Sequence, residues 1–529
     1  MSRIGSKRAR ASNIKRILIF SIIGALVTST FALVYSTRFA EEKREEVNKQ
    51  AEELFKLARC GDGIARSTTY IQEFLLPSEC SMPVGIAIDK QGNVWTASSS
   101  RNKVIKYEPM LNRFDEFDIP SKQVTKDIPF PIWAVLADEK DRLWFTDAEN
   151  NSIWLFDTLS KEFKQFKLQS TSEFGTSMPV DMKIHNNKLW FIGVYSKHIG
   201  MIDINTLELK ELPINVELHA LGTLVLDKQG NVWFTALTLG SKGSLYKLDI
   251  NTNQITVYDL PITNPVGTSI DSNGNIWIND HGSSMFIMFN PNTKEIVKYV
   301  TPLPPRYTNL GLYDRCIRDN GSPLTCGGYQ VSLPYWNAID SKGRVWFNEH
   351  QGNAIAVFDP NTLTLIEYHI PTYNRAWGSC DNYEDEPCGI ANPLRFTLAD
   401  DDTVWFTEFS DNKIARLDAS KALPYTLEVN EHIYTIKRGE SISIPLTITS
   451  KIGVSIEMVI ASTETPEGRI KDINAEFSER VFNIQAESSK VINLIVKASD
   501  GLEQGEYTLT IGARSKDITY SRIIKLIVL

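Results

Sequence analysis

Across 529 residues there is no Gly-rich phosphate loop, no His-Glu-x-x-His helix and no nucleophile elbow. Nucleotide-driven and serine-hydrolase chemistry are therefore set aside. Cysteine is scarce, six in all, and Cys-x-x-Cys spacing never occurs, which argues against a zinc site or a redox pair. Positive charge is also lacking where a nucleic-acid binder would need it. The net charge is −8, yet residues 1–16 hold six basic side chains and no acid, so the rest carries −14. A body that acidic is a poor partner for phosphate backbones. What is present is globular: 42% hydrophobic and 23% charged residues, enough for two or three folded units.

Residues 17–35 contain no charge, and nineteen residues are about the length of a helix crossing a bilayer core of roughly 30 Å. Basic residues precede the run, and Glu41, Glu42, Glu45 and Glu46 follow it. The positive-inside bias keeps 1–16 in the cytoplasm and exports everything after Tyr35. A cleaved signal peptide is the competing reading, although no Ala-x-Ala site follows. Residues 36–61 read as a charged helical stalk. The cysteines fall into three local pairs, Cys60 with Cys80, Cys316 with Cys326, and Cys380 with Cys388, expected to be disulfides in an exported chain.

One phrase returns seven times: a Pro or Gly, a short alternating apolar run, a polar turn, then a strand centred on Trp95, Trp144, Trp190, Trp233, Trp277, Trp346 or Trp405. Further alternating runs follow most copies, giving four short strands per unit. Successive tryptophans lie 43 to 69 residues apart, the period of a β-propeller blade. The expectation is an all-β chain with a seven-bladed propeller over 62–420, each tryptophan packing between blades. The two longest spacings hold insertions at roughly 303–332 and 373–391. Both share a face with the residues after the Trp strands, and that face is where function is expected. Tyr307, Tyr313, Tyr329, Tyr335 and Trp336 bring aromatic surface to its rim, as loop core or as a stacking platform. The acidic hairpin between Cys380 and Cys388 reads as a solvated loop or a weak Ca²⁺ binder.

Pro-x-Gly-Ile, Asp-x-x-Gly-x-(Val/Ile/Leu)-Trp-Phe-Thr-(Glu/Asp) and Asn-x-Ile, best seen in 83–102, 265–281, 334–353 and 393–414, resemble the repeats of the virginiamycin B (streptogramin) lyases. The resemblance implies a Mg²⁺-dependent lyase that opens a cyclic depsipeptide by β-elimination at an ester. Such chemistry needs a base for a Cα proton and a cation for charge on the adjacent carbonyl. Of seven histidines, His281 and His350 follow Trp strands of adjacent blades, beside Asp280 and Glu349. On this reading His350 is the base and His281 a substrate-side partner, with Glu349, Glu408 and Asp280 as metal candidates. Asp147 takes the acid position of the second blade, and His219 precedes a first strand. The competing reading is a ring of solvated acids lining a wet channel. The family separates its glutamate and histidine by one residue, whereas Glu349 and His350 are neighbours, which face opposite ways in a continuing strand.

From 425 to 529 the tryptophan repeat stops, and seven alternating runs suggest an immunoglobulin-like sandwich used for spacing, adhesion or subunit contact. The whole reads as a membrane-anchored, outward-facing protein with a small-molecule or peptide-like ligand at the propeller rim and no nucleic acid. The alternatives are a non-enzymatic binding scaffold and a lactone or ester hydrolase on the same face.

Overall fold

The computed structural model describes residues 43–44, 46–120, 132–169, 175–214, 220–237, 242–305, 331–378, 380, 387–399, 402–466 and 468–529. The apolar run 17–35, His219, the acidic stretch 381–386 and the rim residues Tyr307, Tyr313 and Tyr329 lie outside them. Cys316 and Cys326 lie outside them too, so the disulfide expected between these two is not among the bonds described below. No described helix is long and apolar enough to cross a membrane. The chain divides into two units, Met1–Lys56 and Leu57–Leu529. In the first, residues 46–56 are helical. Everything below concerns the second.

Seven antiparallel sheets, each built on four strands, follow one another along the chain. Their innermost strands are Pro83–Ile88, Val135–Ala137, Pro179–His185, Ala220–Leu226, Pro265–Ile270, Pro334–Ile339 and Pro393–Leu398. Each packs against the next, and the last against the first, so the ring is closed. The seventh blade is completed by the N-terminal strand Ile71–Leu75, which pairs with Lys413–Asp418. The architecture is a β-propeller.

The repeat has a local cause. In five blades the signature indole donates to an Asp six residues earlier: Trp95 to Asp89 at 2.8 Å, Trp144 to Asp138 at 3.0 Å and Trp233 to Asp227 at 2.9 Å. Trp277 and Trp346 do the same with Asp271 and Asp340. The other oxygen of each Asp accepts from backbone N–H groups of the turn, as Asp89 does from Gln91 and Asn93. One carboxylate thus fixes a hairpin and satisfies a buried indole. In the last two blades the residue two after the tryptophan ties blade to blade: Asn348 Nδ2 donates to Pro393 O, and Thr407 Oγ1 donates to Val84 O across the closure at 2.9 Å.

The C-terminal residues form two sheets. One orders the strands Tyr425–Val429, Ser441–Ser450, Ser488–Ala498 and Ile473–Phe477. The other runs Ile518–Val528, Gly505–Arg514, Val454–Ser462 and Val481–Ile484, with Ile433–Ile436 parallel to the first of these. The sandwich is not a hinged appendage. Ile518–Val528 pairs antiparallel with Thr364–His369, the outermost strand of the sixth blade, in the register Thr364↔Arg522 to Tyr368↔Ile518. Blade and sandwich share one nine-stranded sheet, and one hydrophobic core runs from Trp346 and Tyr368 to Leu494 and Leu509. An edge strand that would template foreign pairing is thereby covered.

Candidate functional site

Two rings of repeat positions meet at the axis. Four residues after each signature tryptophan stand Ser99, Ala148, Val194, Leu237, His281, His350 and Phe409. One residue after each repeat Pro, or after Ala220 in the fourth blade, stand Val84, Ile132, Val180, Leu221, Val266, Tyr335 and Leu394. A cavity of about 390 Å³ lies among them, mostly apolar, with Trp133, Thr223, His281, Tyr335, His350, Asn392 and Arg395 as its polar lining. Its volume is at the small end for a drug-sized ligand. Trp377, in the insertion after the sixth blade, also lines it and donates its indole N–H to Ala58 O at 2.8 Å.

The cavity continues inward to a cross-axial plug. At the position two after the repeat Pro, the first, fourth and fifth blades have Gly85, Gly222 and Gly267, while the others carry Trp133, Asp181, Trp336 and Arg395. The glycines admit the neighbouring strand: a Cβ on Gly267, whose φ is +59°, would stand 2.1 Å from Tyr335 O. The larger residues meet one another. Arg395 donates to Val180 O at 2.6 Å, lies 3.6 Å from the Asp181 carboxylate, and stacks on the Trp336 ring at 3.5 Å. Burial lowers the pKa of Arg395 against the pull of Asp181.

The two histidines named from sequence are brought together. His281 Nε2 lies 3.0 Å from His350 Nδ1, the rings are stacked, and His350 Nε2 lies 2.8 Å from Asn392 Oδ1. With the amide oxygen so assigned, His350 donates through Nε2 and accepts through Nδ1, and His281 donates through Nε2. The Nδ1 lone pair of His281 is then the uncommitted end of the relay. Burial, then the neighbouring His350, pushes the His281 imidazole down to about 3. Burial also lowers His350, opposed by its bond to Asn392.

The carboxylates are not brought to the histidines. Each stands three residues after its tryptophan, one short of the axial ring, and faces into its blade. Asp280 is saturated by its own turn, accepting from Asn264 N at 2.8 Å, Ser283 Oγ at 2.7 Å and Gly282 N at 3.1 Å. Asp147 likewise accepts from Asn150 and from the Trp154 indole. Glu408 is fully buried with Glu73, 3.8 Å from Lys413 Nζ, and burial followed by Glu73 raises its pKa well above the ordinary value. Glu349 meets Glu367 across the small, buried Ala354 and Ala356 of the intervening strand. Among the described residues no three His, Cys, Asp or Glu side chains converge as a metal site. The magnesium shell expected at Glu349, Glu408 and Asp280 is therefore absent from the described cavity, because a one-residue offset on a strand reverses the side-chain direction.

Of the three disulfides expected from sequence, two are described, Cys60–Cys80 and Cys380–Cys388. The second pins the insertion that carries Trp377. The third expected pair, Cys316 and Cys326, falls in the stretch outside the described residues.

The Glu349–Glu367 pair has a consequence for stability. Burial, then the facing carboxyl, raises Glu349 well above its ordinary value, and burial raises Glu367 to about 7 against the pull of Arg514. The folded pair therefore holds a proton that the unfolded chain releases near 4.5. Stability contributed by that proton is complete below the unfolded value and is lost as pH rises through about 7. Glu349→Gln is expected to flatten the pH dependence of urea midpoints and to gain on the order of 2 kcal/mol over the parent at alkaline pH. Parallel curves for the two proteins would remove the shared proton from the account.

The chain is thus a seven-bladed propeller with an axial cavity that holds a paired imidazole. Over residues 72–286 the chain matches the virginiamycin B lyase family. A streptogramin B lyase structure is similar at 21% identity and a TM-score of 0.50, covering 66% of this chain and 97% of that one. The Staphylococcus aureus virginiamycin B lyase is similar at 17% identity, the same TM-score, and 66% and 98% coverage. A catalytically inactive histidine-to-alanine form of the S. aureus enzyme, with quinupristin, is similar at 18% identity and a TM-score of 0.50, again with 66% and 98% coverage. These likenesses show the fold. No curated protein matches the chain.

Proposed function

We propose that this chain is a carbon–oxygen lyase in which His281 is the base, held by His350 and Asn392, and the substrate is an ester of the cyclic depsipeptide kind. The observation that carries the reading is the relay Asn392–His350–His281, which leaves one imidazole lone pair facing an apolar cavity. His281 Nδ1 takes a proton from the carbon next to a carbonyl. The C–H electron pair becomes a Cα=Cβ double bond, and the Cβ–O bond breaks with its pair leaving on the carboxylate. Nothing is added, so substrate and product have one mass. This reverses the roles read from sequence, where His350 was the base, because His350 has both ring nitrogens engaged. The magnesium of the resembled family would supply charge stabilisation at the carbonyl, but the described residues offer it no carboxylate shell.

The reading includes export. Anchorage through residues 17–35 and a cell-surface setting agree with the local disulfides and the acidic exterior. The full chain is to be incubated with quinupristin and followed by chromatography with mass detection. A new peak of unchanged mass is expected. A product heavier by one water would make the protein a hydrolase, and absence of any product would favour a binding scaffold.

A further inference from the structure

The elimination builds negative charge on the carbonyl beside Cα and leaves it on the departing carboxylate, and something must hold it. Around the cavity three N–H donors have no partner among the described residues: the Trp133 indole Nε1, the Asn392 amide Nδ2 and the Arg395 Nε. Asn392 and Arg395 are 1% and 4% exposed, so the missing bonds are not made to bulk water. Buried unpaired donors cost free energy, roughly 1–3 kcal/mol each, and each calls for an explanation, a ligand among them. Two of the three are departures from the repeat. Trp133 and Arg395 stand where other blades have glycine, and Asn392 holds a left-handed conformation with φ +54°.

The residues that carry the donors line the same cavity as the base. Asn392 bonds His350 at 2.8 Å, and Tyr335 lies between His281 and Trp133, with ring centroids 4.6 Å and 6.5 Å away. Arg395 adds a cation whose guanidinium is braced on Trp336 and Asp181 while its Nε stays uncommitted. Apart from Thr223, the rest of the lining, from Met178 to Phe409, is mostly apolar. We infer that Trp133, Asn392 and Arg395 form an oxyanion-binding set that takes the place of a carboxylate-held divalent cation, so that the cavity selects apolar ligands ending in a carboxylate or an enolisable carbonyl. This deepens the lyase reading and rests on it for the catalytic use of the set. The ligand preference can be measured without any turnover. Preorganised N–H donors in a dry site stabilise developing oxyanions as an ion would, without its coordination shell.

The test is calorimetry on the full chain in EDTA with 4-phenylbutyrate and with 4-phenylbutan-1-ol, which share an apolar body and differ at the charged end. The acid is expected to bind at least about tenfold tighter than the alcohol. Asn392→Asp, which replaces the amide donor by an acceptor, and Trp133→Phe should each remove most of that preference. Alcohol affinity should persist in both, showing that the cavity is still folded. Equal affinities in the parent, or acid binding that appears only when Mg²⁺ is added, would overturn the inference. Failure of quinupristin to react while the acid preference holds would sink the lyase reading alone.

Discussion

His281→Ala is expected to lower kcat/KM for ester elimination by about 10²- to 10⁴-fold, the range a positioned general base contributes. The melting temperature should hardly change, because His281 is half-buried at the cavity wall and closes no seam of the ring. His350→Ala should fall less far. His350 orients the base and shares its proton, as a positioning residue, without touching the reacting carbon. The pH profile separates this arrangement from an ordinary histidine. A group must be unprotonated to act as base, and the neighbourhood of His281 holds its pKa near 3. The acid limb of kcat/KM should therefore lie well below 6, where a solvated imidazole would already be charged. In His350→Ala the like-charge penalty on protonating His281 is gone, so that limb should move upward. A limb near 6.5 in the parent would mean that the pair is open to water and that the burial argument is wrong.

Much of this site was legible in the repeat. The signature tryptophan sets the register of every blade, so the place of His281 and His350 at the same offset put both on one rim, and the structure joins them. The carboxylates fail for a reason equally local. Asp280, Glu349 and Glu408 stand one residue earlier, and on a strand that is the other face. Adjacency of Glu349 and His350 already carried that warning. The donor set was missed because a repeat is read for what recurs. Its signal was the reverse, the blades in which Gly85, Gly222 and Gly267 give way to Trp133, Asp181, Trp336 and Arg395. A position kept small for close strand approach becomes, when filled, a side chain aimed at the axis. The joint between Thr364–His369 and Ile518–Val528 had no comparable signal. Alternation along either strand shows which face is apolar and is silent on which edge finds a partner.

The second large effect is expected at the seam where the ring closes, with Lys413→Met losing about 3–5 kcal/mol. Lys413 is wholly buried, 2.8 Å from the Glu73 carboxylate and 3.8 Å from Glu408. Glu73 belongs to the N-terminal strand Ile71–Leu75 and Lys413 to its partner, so the ion pair crosses the last hydrogen-bonded ladder of the propeller. Burial pulls the ammonium down, yet Glu408 and Glu73 raise it above the ordinary lysine value, so it stays charged. Remove it and two buried carboxyls face each other with Asp411, itself pushed up by burial to about 7. They must then take up protons or drag in water. Thr372 Oγ1 donates to Glu73 at 2.7 Å, and Asn374 Nδ2 donates to Leu57 O at 2.8 Å, so the same cluster anchors the segment leading to Trp377 at the cavity. Hydrogen exchange should consequently quicken over 71–75 and 372–377 together, with ligand affinity falling alongside stability. Adding Glu73→Gln to Lys413→Met should recover a substantial part of the loss, since it removes the carboxylate left without its cation. If Lys413→Met unfolds at the parent's urea midpoint, the seam is held by its backbone ladder and apolar packing, and the ion pair only occupies space within it.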